Sequence, residues 1–174
     1  MRKLSMDELG RKSVEDFKLA DKKPLVVVMD NIRSMHNVGS VFRTADAFLI
    51  SGICLCGFTP QPPHRDIHKT ALGATDSVDW LYYEHTVDAV LALKERGFKV
   101  LAIEQTEGSI LLNEFVHDDT PTAFVFGNEV DGVSDEVLQV CDGVIEIPQW
   151  GMKHSLNISV AAAVVLWEFV RKEN

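Results

Sequence analysis

Apolar residues recur along the chain in short continuous runs that are separated by charged and polar segments. Runs of this length, rich in Val, Ile and Phe, are typical of strands buried on both faces of a parallel sheet. Five of them predict strands, over residues 25–29, 53–56, 98–103, 121–126 and 143–147. Helix-like segments alternate with these strands, so the pattern predicts an α/β fold with a mostly parallel sheet flanked by helices.

Apolar positions near helical spacing predict the elements that connect the strands. They predict helices over residues 1–23, 87–96, 135–140 and 155–171, and a short helical piece over residues 110–115. The helix over 87–96 is expected to turn Val90, Leu91 and Leu93 inward. Ser134 is expected to cap the helix over 135–140. Ser155 is a candidate cap of the last helix, with Asn157 in its first turn.

One further helix is expected after the first strand, preceded by a loop that carries Asn37, Gly39 and Ser40. The apolar face of this helix is formed by Val41, Ala45 and Phe48. Arg43 lies off that face. It is either a solvated helix residue or a cation with a function.

The composition bounds the size and location of the protein. With 174 residues and 46% hydrophobic content, we expect an N-terminal helical extension over residues 1–23 and one domain over residues 24–174. The charged start predicts no signal peptide, and the apolar residues 158–170 are too few for the roughly 20 that span a bilayer. Three cysteines form no disulfide framework. We therefore expect a soluble, cytoplasmic protein with no membrane contact.

Charge is distributed unevenly along the chain. Residues 1–69 hold 11 Lys and Arg against 8 Asp and Glu, whereas residues 70–174 hold 6 against 18. Phosphate contacts depend on Lys and Arg, so any surface that binds nucleic acid should draw its cations from the first third. His64 and His68 have the four-residue spacing of metal ligands on a helix. Because no third and fourth ligands accompany them, we expect surface histidines and no metal.

Residues 124–160 contain two apolar runs that stop at glycine and polar residues, each followed by a helix-like pattern. In open α/β sheets, ligands bind beyond the carboxyl ends of such strands. The segment from Gly127 to Gly132 is no EF-hand and no phosphate loop, because the ligand pattern of the first and the Gly-Lys-Ser/Thr of the second are missing. Taken singly, an acidic turn and an ordinary helix cap remain open as alternatives.

Three segments together resemble the signature motifs of the SpoU/TrmH branch of the SPOUT methyltransferases, in family order and over about residues 24–172. The segments are Asn37-x-Gly39-x-x-x-Arg43-Thr-Ala, Phe126-Gly127-Asn128-Glu129-x-x-Gly132 and Ile147-Pro148-x-x-Gly151-x-x-x-Ser155-Leu156-Asn157-x-Ser159-x-Ala161. The third motif is long and specific.

The resemblance implies a reaction, a fold and an assembly. It implies methyl transfer from S-adenosylmethionine to a ribose 2′-hydroxyl of tRNA or rRNA. It implies a C-terminal trefoil knot, which general rules of chain topology make improbable, and a homodimer with its active site near the subunit interface. The alternatives are an inactive knotted protein that binds S-adenosylmethionine or RNA, and a plain nucleotide-binding domain, which the absence of Gly-x-Gly-x-x-Gly after the first strand disfavours.

The resemblance also implies roles for individual residues. Arg43 matches the catalytic arginine of the family, which family proposals make the base. A guanidinium is a poor base because it stays protonated, so we expect Arg43 to clamp phosphate and the developing alkoxide instead. The substrate-ordering positions correspond to Asn37, Glu129, Ser155 and Asn157. The cofactor-binding positions correspond to Gly127, Ile147 and Leu156. A further candidate for cofactor binding is Ile103, together with the loop that follows it.

The chain departs from the family pattern in two ways. The first motif usually ends in Ala-Phe-Gly, but here Phe48 is followed by Leu49, and we expect this change to alter the turn into the second strand. The separate N-terminal RNA-binding domain of many relatives is not expected here. RNA affinity would then depend on the dimer, the basic first third or a partner protein.

Overall fold

The computed structural model describes residues 1–5, 7–153 and 155–171. Its strands are β1 (Lys23–Asp30), β2 (Ile50–Cys56), β3 (Trp80–Tyr83), β4 (Lys99–Ile103), β5 (Ile110–Leu111), β6 (Thr122–Phe126) and β7 (Gly143–Glu146). Its helices are α1 (Val14–Leu19), α2 (Met35–Ala47), α3 (Arg65–Ala71), α4 (Ala74–Ser77), α5 (Thr86–Glu95), α6 (Asp135–Val140) and α7 (Ile158–Val170).

All seven strands pair in parallel in the order β3-β2-β1-β6-β4-β7-β5. The prediction of an α/β fold with a mostly parallel sheet is confirmed. The five predicted strands are present, and β3 and β5 are strands that the apolar pattern did not indicate. Four of the five predicted strands, β1, β2, β4 and β6, are mostly buried, as expected where helices cover both faces of the sheet, whereas β7 is half-buried.

Two apolar cores lie on opposite faces of the sheet. Alternate β1 residues divide between them, because successive side chains of a strand point to opposite faces. Val27 and Met29 join the core that includes α2, α3 and α7. Val26 and Val28 join the core of α5 and α6. In the described part of the chain, no helix has the length and apolar character needed to cross a membrane.

Several local predictions were wrong. Residues 1–23 do not form one helix, because Gly10 with φ +56° separates a 3₁₀ turn from α1. The segment predicted as helical over 110–115 begins instead with β5. Leu91 is exposed on α5, and Ala89 is buried in its place. Ser134 is the residue before α6, but its side chain makes no capping hydrogen bond.

The segment predicted as a loop around Asn37, Gly39 and Ser40 is the first half of α2. The helix begins at Met35, after Ser34, whose hydroxyl accepts a hydrogen bond from the Asn37 N–H. Gly39 is required inside the helix by close packing, because a Cβ there would lie 2.2 Å from the Ile67 carbonyl oxygen of α3. The turn after α2 contains Leu49 with φ +54°, where the family motif has glycine. At this departure from the motif, a leucine therefore adopts the left-handed backbone conformation that favours glycine.

The contact between α2 and α3 gives a test of the fold. Gly39→Ala should destabilise the protein by about 1–3 kcal/mol, because the added methyl group overpacks a contact with backbone on its far side. Chemical denaturation would measure this loss, with Ser40→Ala as the matched control one position along the same helix. Equal stability of Gly39→Ala and wild type would contradict the close approach of the two helices.

Candidate functional site

A cavity of about 740 Å³ lies at the carboxyl ends of β4, β6 and β7, next to the start of α7. This is the sheet edge at which α/β proteins bind ligands, and the volume lies within the roughly 300–1,000 Å³ of small-molecule sites. Seven of the nine site residues predicted from the sequence line it: Ile103, Gly127, Glu129, Ile147, Ser155, Leu156 and Asn157. Segments from the second and third motifs therefore meet at one cavity.

The loop after β6 forms one wall of the cavity and is closed on itself. Asn128 and Gly132 exchange two backbone hydrogen bonds of 3.1 Å each. The Asn128 side-chain oxygen accepts from the N–H groups of Val130 (2.8 Å) and Asp131 (2.9 Å). Gly127 allows this fold of the loop, because a Cβ there would lie 1.9 Å from the Gly132 carbonyl carbon.

The Glu129 carboxylate connects this loop to the start of α2. It accepts hydrogen bonds from the Arg33 N–H (3.1 Å), the Ser34 N–H (3.3 Å) and the Asn37 side-chain amide (2.9 Å). The first N–H groups of a helix have no partner within the helix and favour a carboxylate. Glu129 is therefore engaged by the protein itself.

Desolvation raises the pKa of the Glu129 carboxyl, but hydrogen bonds from the Arg33 N–H, the Asn37 amide and the Ser34 N–H outweigh this effect. The pKa consequently lies below its usual value of 4.5, and the carboxyl group is ionised at neutral pH.

Asn37 joins the second and third motifs. Its side-chain oxygen accepts a hydrogen bond of 3.1 Å from the Asn157 amide. The Asn157 oxygen accepts in turn from the N–H and the hydroxyl of Ser159, so Asn157 is the cap of α7. The closing helix was predicted to begin at Ser155, but α7 begins three residues later, so the alternative of Ser155 as its cap is excluded. Ser155 is instead exposed on the cavity wall.

Two carboxylates that the sequence analysis missed accept hydrogen bonds from the end of the loop after β6. Glu104 accepts a hydrogen bond of 3.1 Å from the Val133 N–H, and Asp30 accepts one of 3.2 Å from the Ser134 N–H. Asp30 is buried and also accepts from the Thr86 hydroxyl at 2.6 Å. Both residues come directly after an apolar run, and this position at a strand end was the signal that could have revealed them.

Arg43 does not line this cavity. It is exposed on α2 and makes no hydrogen bond or ion pair with the described residues. It lies six residues after Asn37, which places it about 9 Å further along the helix and about 240° around its axis. Arg43 therefore faces away from the network of Asn37, Glu129 and Asn157 within its own chain.

The cavity is acidic. Glu104, Glu129, Asp131 and Asp135 line it, and the described lining contains no Lys, Arg or His. Within the described ranges, no group of three or more His, Cys, Asp or Glu side chains is arranged to hold a metal ion. His64 instead caps α3 through the Asp66 N–H, and His68 is exposed on the same helix. The cavity thus favours an organic ligand that carries positive charge.

Residues 24–167 match the SpoU rRNA Methylase family. Among characterised proteins, the chain is 37% identical over 168 residues to the tRNA (guanosine(18)-2′-O)-methyltransferase of Thermus thermophilus, covering 95% of this chain and 84% of the relative.

Solved structures share the fold. The TrmH/SpoU tRNA-modifying enzyme of A. aeolicus superposes with a TM-score of 0.82 and 30% identity, over 92% of this chain and 80% of that one. An AdoMet-bound rRNA methyltransferase from Sinorhizobium meliloti gives a TM-score of 0.81 and 27% identity, over 88% of this chain. The match spans 57% of the length of the S. meliloti protein.

The lowered pKa of Glu129 predicts a pH-dependent contribution to stability. The ionised carboxylate stabilises the folded state above the usual pKa, and this stabilisation is lost as pH falls through the lowered folded-state pKa. Glu129→Gln should therefore be less stable than wild type near neutral pH, and the difference should shrink as the pH falls below the usual carboxyl pKa of 4.5. Denaturant titrations across this range measure it. Glu107→Gln, in an exposed turn, is the control, and a difference for Glu129→Gln that grows on acidification would contradict the assignment.

Proposed function

The chain belongs to the SpoU rRNA methylase family, and we propose that it transfers a methyl group from S-adenosylmethionine to a ribose 2′-hydroxyl of tRNA or ribosomal RNA. The observation that carries this proposal is the acidic cavity at the carboxyl edge of the sheet, lined by segments of the second and third motifs. The first motif is joined to that edge through the hydrogen bonds of Asn37.

The cavity fits S-adenosylmethionine in size and charge. This cofactor carries a sulfonium and an ammonium group, and carboxylates line the wall without any described cation to oppose them. Ile103, Ile147 and Leu156 offer apolar surface to the flat adenine ring, and Gly127 keeps backbone groups accessible beside them. When bound, the sulfonium supplies an electrophilic methyl group, so the reaction needs no metal.

The chain's own residues orient the acceptor and stabilise charge. The network of Glu129, Asn37 and Asn157 fixes three elements relative to one another. In this role its main contribution is orientation of the ribose, which can account for a large part of a rate enhancement. Ser155 presents an exposed hydroxyl on the same wall as a further contact for the substrate.

Arg43 supplies the cation that the cavity lacks. The acceptor oxygen becomes negative as its proton passes to water, and a guanidinium stabilises such charge without acting as a base. Because Arg43 faces away from the network of its own chain, we assign it to the cavity of a partner subunit. The catalytic centre is then shared between two copies.

A homodimer is supported by an apolar stripe on α7. Val160, Val164 and Trp167 are exposed, and their spacing places them on one face of the helix. A contiguous exposed apolar surface of this kind marks an interaction site. The stripe lies close to α2, on the same side of the sheet, since the rings of Trp167 and Phe48 are 6.0 Å apart. Dimerisation through α7 would bring the α2 helices toward the interface.

Family membership supports three further parts of the proposal. We assign residues 24–174 to the methyltransferase domain and residues 1–23 to an N-terminal extension, in line with a family match that begins at residue 24. We assign a trefoil knot to the C-terminal part. We also assign the protein to the cytoplasm, where the three unpaired cysteines, Cys54, Cys56 and Cys141, stay reduced.

Replacement of Arg43 tests the catalytic assignment. Arg43→Ala should lower methyl transfer to RNA by at least about 100-fold, as loss of a charge-stabilising donor does, while calorimetry detects unchanged S-adenosylmethionine binding. Transfer of a tritiated methyl group to bulk tRNA and rRNA measures the activity. Arg96→Ala, which removes an equal charge beyond the end of α5, is the control. Full activity of Arg43→Ala on an RNA that wild type methylates would remove the proposed role.

Heterodimers decide whether Arg43 acts across the interface. Subunits carrying Arg43→Ala and Asn157→Ala, each expected to be inactive as homodimers, are co-expressed with different tags and purified as mixed dimers. A shared centre leaves one site of each mixed dimer with both wild-type residues and restores about half of the wild-type activity. No restoration would show that Arg43 serves its own chain.

The α7 stripe predicts the assembly. Wild type should sediment as a dimer, and Val164→Asp should sediment as a folded monomer, because burying a carboxylate in an apolar interface is unfavourable. Leu91→Asp introduces the same change at an exposed position of α5, on the opposite face of the sheet, and should leave the dimer intact. A dimeric Val164→Asp variant would place the interface elsewhere.

A further inference from the structure

An exposed aromatic ring and a guanidinium lie together beside the candidate site. The Phe58 side chain follows β2 and is 56% exposed. The guanidinium carbon of Arg33 lies 5.9 Å from the centre of its ring, within the range of a cation–π contact. The Arg33 N–H donates to Glu129 on the cavity wall, so the pair lies next to the cavity.

The loop that carries Phe58 is held firmly at its base. The Phe58 N–H donates to the Asn31 side-chain oxygen at 3.1 Å. The buried Thr59 hydroxyl accepts from the Ile32 N–H and donates to the Met29 carbonyl, at 2.9 and 3.0 Å. These contacts tie the loop to the carboxyl end of β1. The ring is therefore exposed on a rigid base, and the exposure does not come from a loosely packed loop.

Further basic residues follow Phe58 along the chain, at the start of α3. His64 and Arg65 begin α3 on the same loop, and Lys69 lies one turn later. The His36 carbonyl accepts from the Thr70 hydroxyl of α3 at 3.0 Å, so His36 lies against this helix. Asp66 is the acidic residue of this group, and it is paired with Lys69. Arg33, Arg65 and Lys69 against Asp66 leave a net charge of +2, in a chain of net charge −9. These residues therefore supply positive charge that complements a polyanion.

We propose that Phe58 and Arg33 form a stacking platform for an unpaired base of the RNA substrate, beside the nucleotide whose ribose enters the cavity. The inference rests on the proposed function and extends it to how the target is recognised. Aromatic rings that stack unpaired bases, next to cations that follow the phosphates, are the usual means of binding single-stranded RNA. The enzyme would then act on a loop or another unpaired segment of the RNA, where a base is free to stack on the protein.

The expected effects differ between the two residues. Loss of one base–aromatic stack weakens binding by about 10-fold, within a broad range. Phe58→Ala should thus raise the Kd for RNA by about this factor, and Phe58→Trp should restore it. Arg33→Ala should also weaken binding and should reduce the salt dependence by about one phosphate contact. Neither change should alter the Kd for S-adenosylmethionine.

The matched control is a second arginine–phenylalanine pair, Arg96 and Phe98, in which the guanidinium carbon lies 5.5 Å from the centre of a half-buried ring. This pair precedes β4, at the amino edge of the sheet and away from the cavity. Arg96→Ala removes the same charge and the same type of contact, and it should leave the Kd for RNA unchanged.

The experiment is a fluorescence anisotropy titration of the full chain with a short labelled single-stranded oligoribonucleotide and with a matched probe that lacks bases. The platform requires that Phe58→Ala weakens binding of the first probe and leaves binding of the second unchanged. Equal affinity of Phe58→Ala and wild type for the first probe would overturn it. Loss of the dimer in Phe58→Ala, seen by sedimentation, would also overturn it and identify the surface as a contact between subunits.

Failure of this inference is distinguishable from failure of the proposed function. If wild type methylates bulk RNA and Phe58→Ala does so with an unchanged KM, the platform is wrong and the function stands. If wild type transfers no methyl group to RNA, the function is wrong, and the two oligonucleotide titrations still decide whether Phe58 stacks on bases.

Discussion

The site depends on one loop, residues 127–134, that is held by carboxylates accepting backbone N–H groups. Glu129 reaches from the loop to the start of α2, while Glu104 and Asp30 hold its far end from the ends of β4 and β1. Hydrogen bonds to charged acceptors are stronger than neutral ones. The loop can therefore form a firm cavity wall from backbone and small residues, and this wall leaves space for a cofactor of the size of S-adenosylmethionine.

The same arrangement explains why an acidic chain can act on RNA. Two of the carboxylates that hold the loop, Glu104 and Glu129, line the cavity together with Asp131 and Asp135 and make it negative. This charge suits a cationic methyl donor but opposes phosphate. The cations for RNA must then lie outside the cavity. They include Arg33, which is exposed just before α2, and Arg65, which is exposed at the start of α3. In the proposed dimer, Arg43 of α2 adds a further cation near the cavity of the other subunit. In the proposed function, surfaces of opposite charge bind the methyl donor and the RNA, and the reaction takes place where the two surfaces meet.

Much of this could be predicted from the sequence, and the omissions have physical causes. The central strands were predictable because continuous apolar runs are buried on both faces, whereas β5 has only two residues and β3 is largely exposed at the sheet edge. The start of α2 was predicted as a loop because Asn and Gly are poor helix formers. Tertiary packing against α3 overrides this preference at Gly39. Seven site residues meet at the cavity. Arg43 faces away from it, and helical spacing could not show this while Asn37 was expected in a loop and not on the same helix as Arg43.

The central claim is that this cavity delivers a methyl group to a ribose oxygen. Its most direct test is nucleoside mass spectrometry of tRNA and rRNA incubated with the protein and S-adenosylmethionine that carries a deuterated methyl group. We expect deuterium in 2′-O-methylated nucleosides and none in methylated bases. Deuterium confined to the bases would contradict the assigned acceptor, and RNA without deuterium, from every source that lacks the modification, would contradict the assigned reaction.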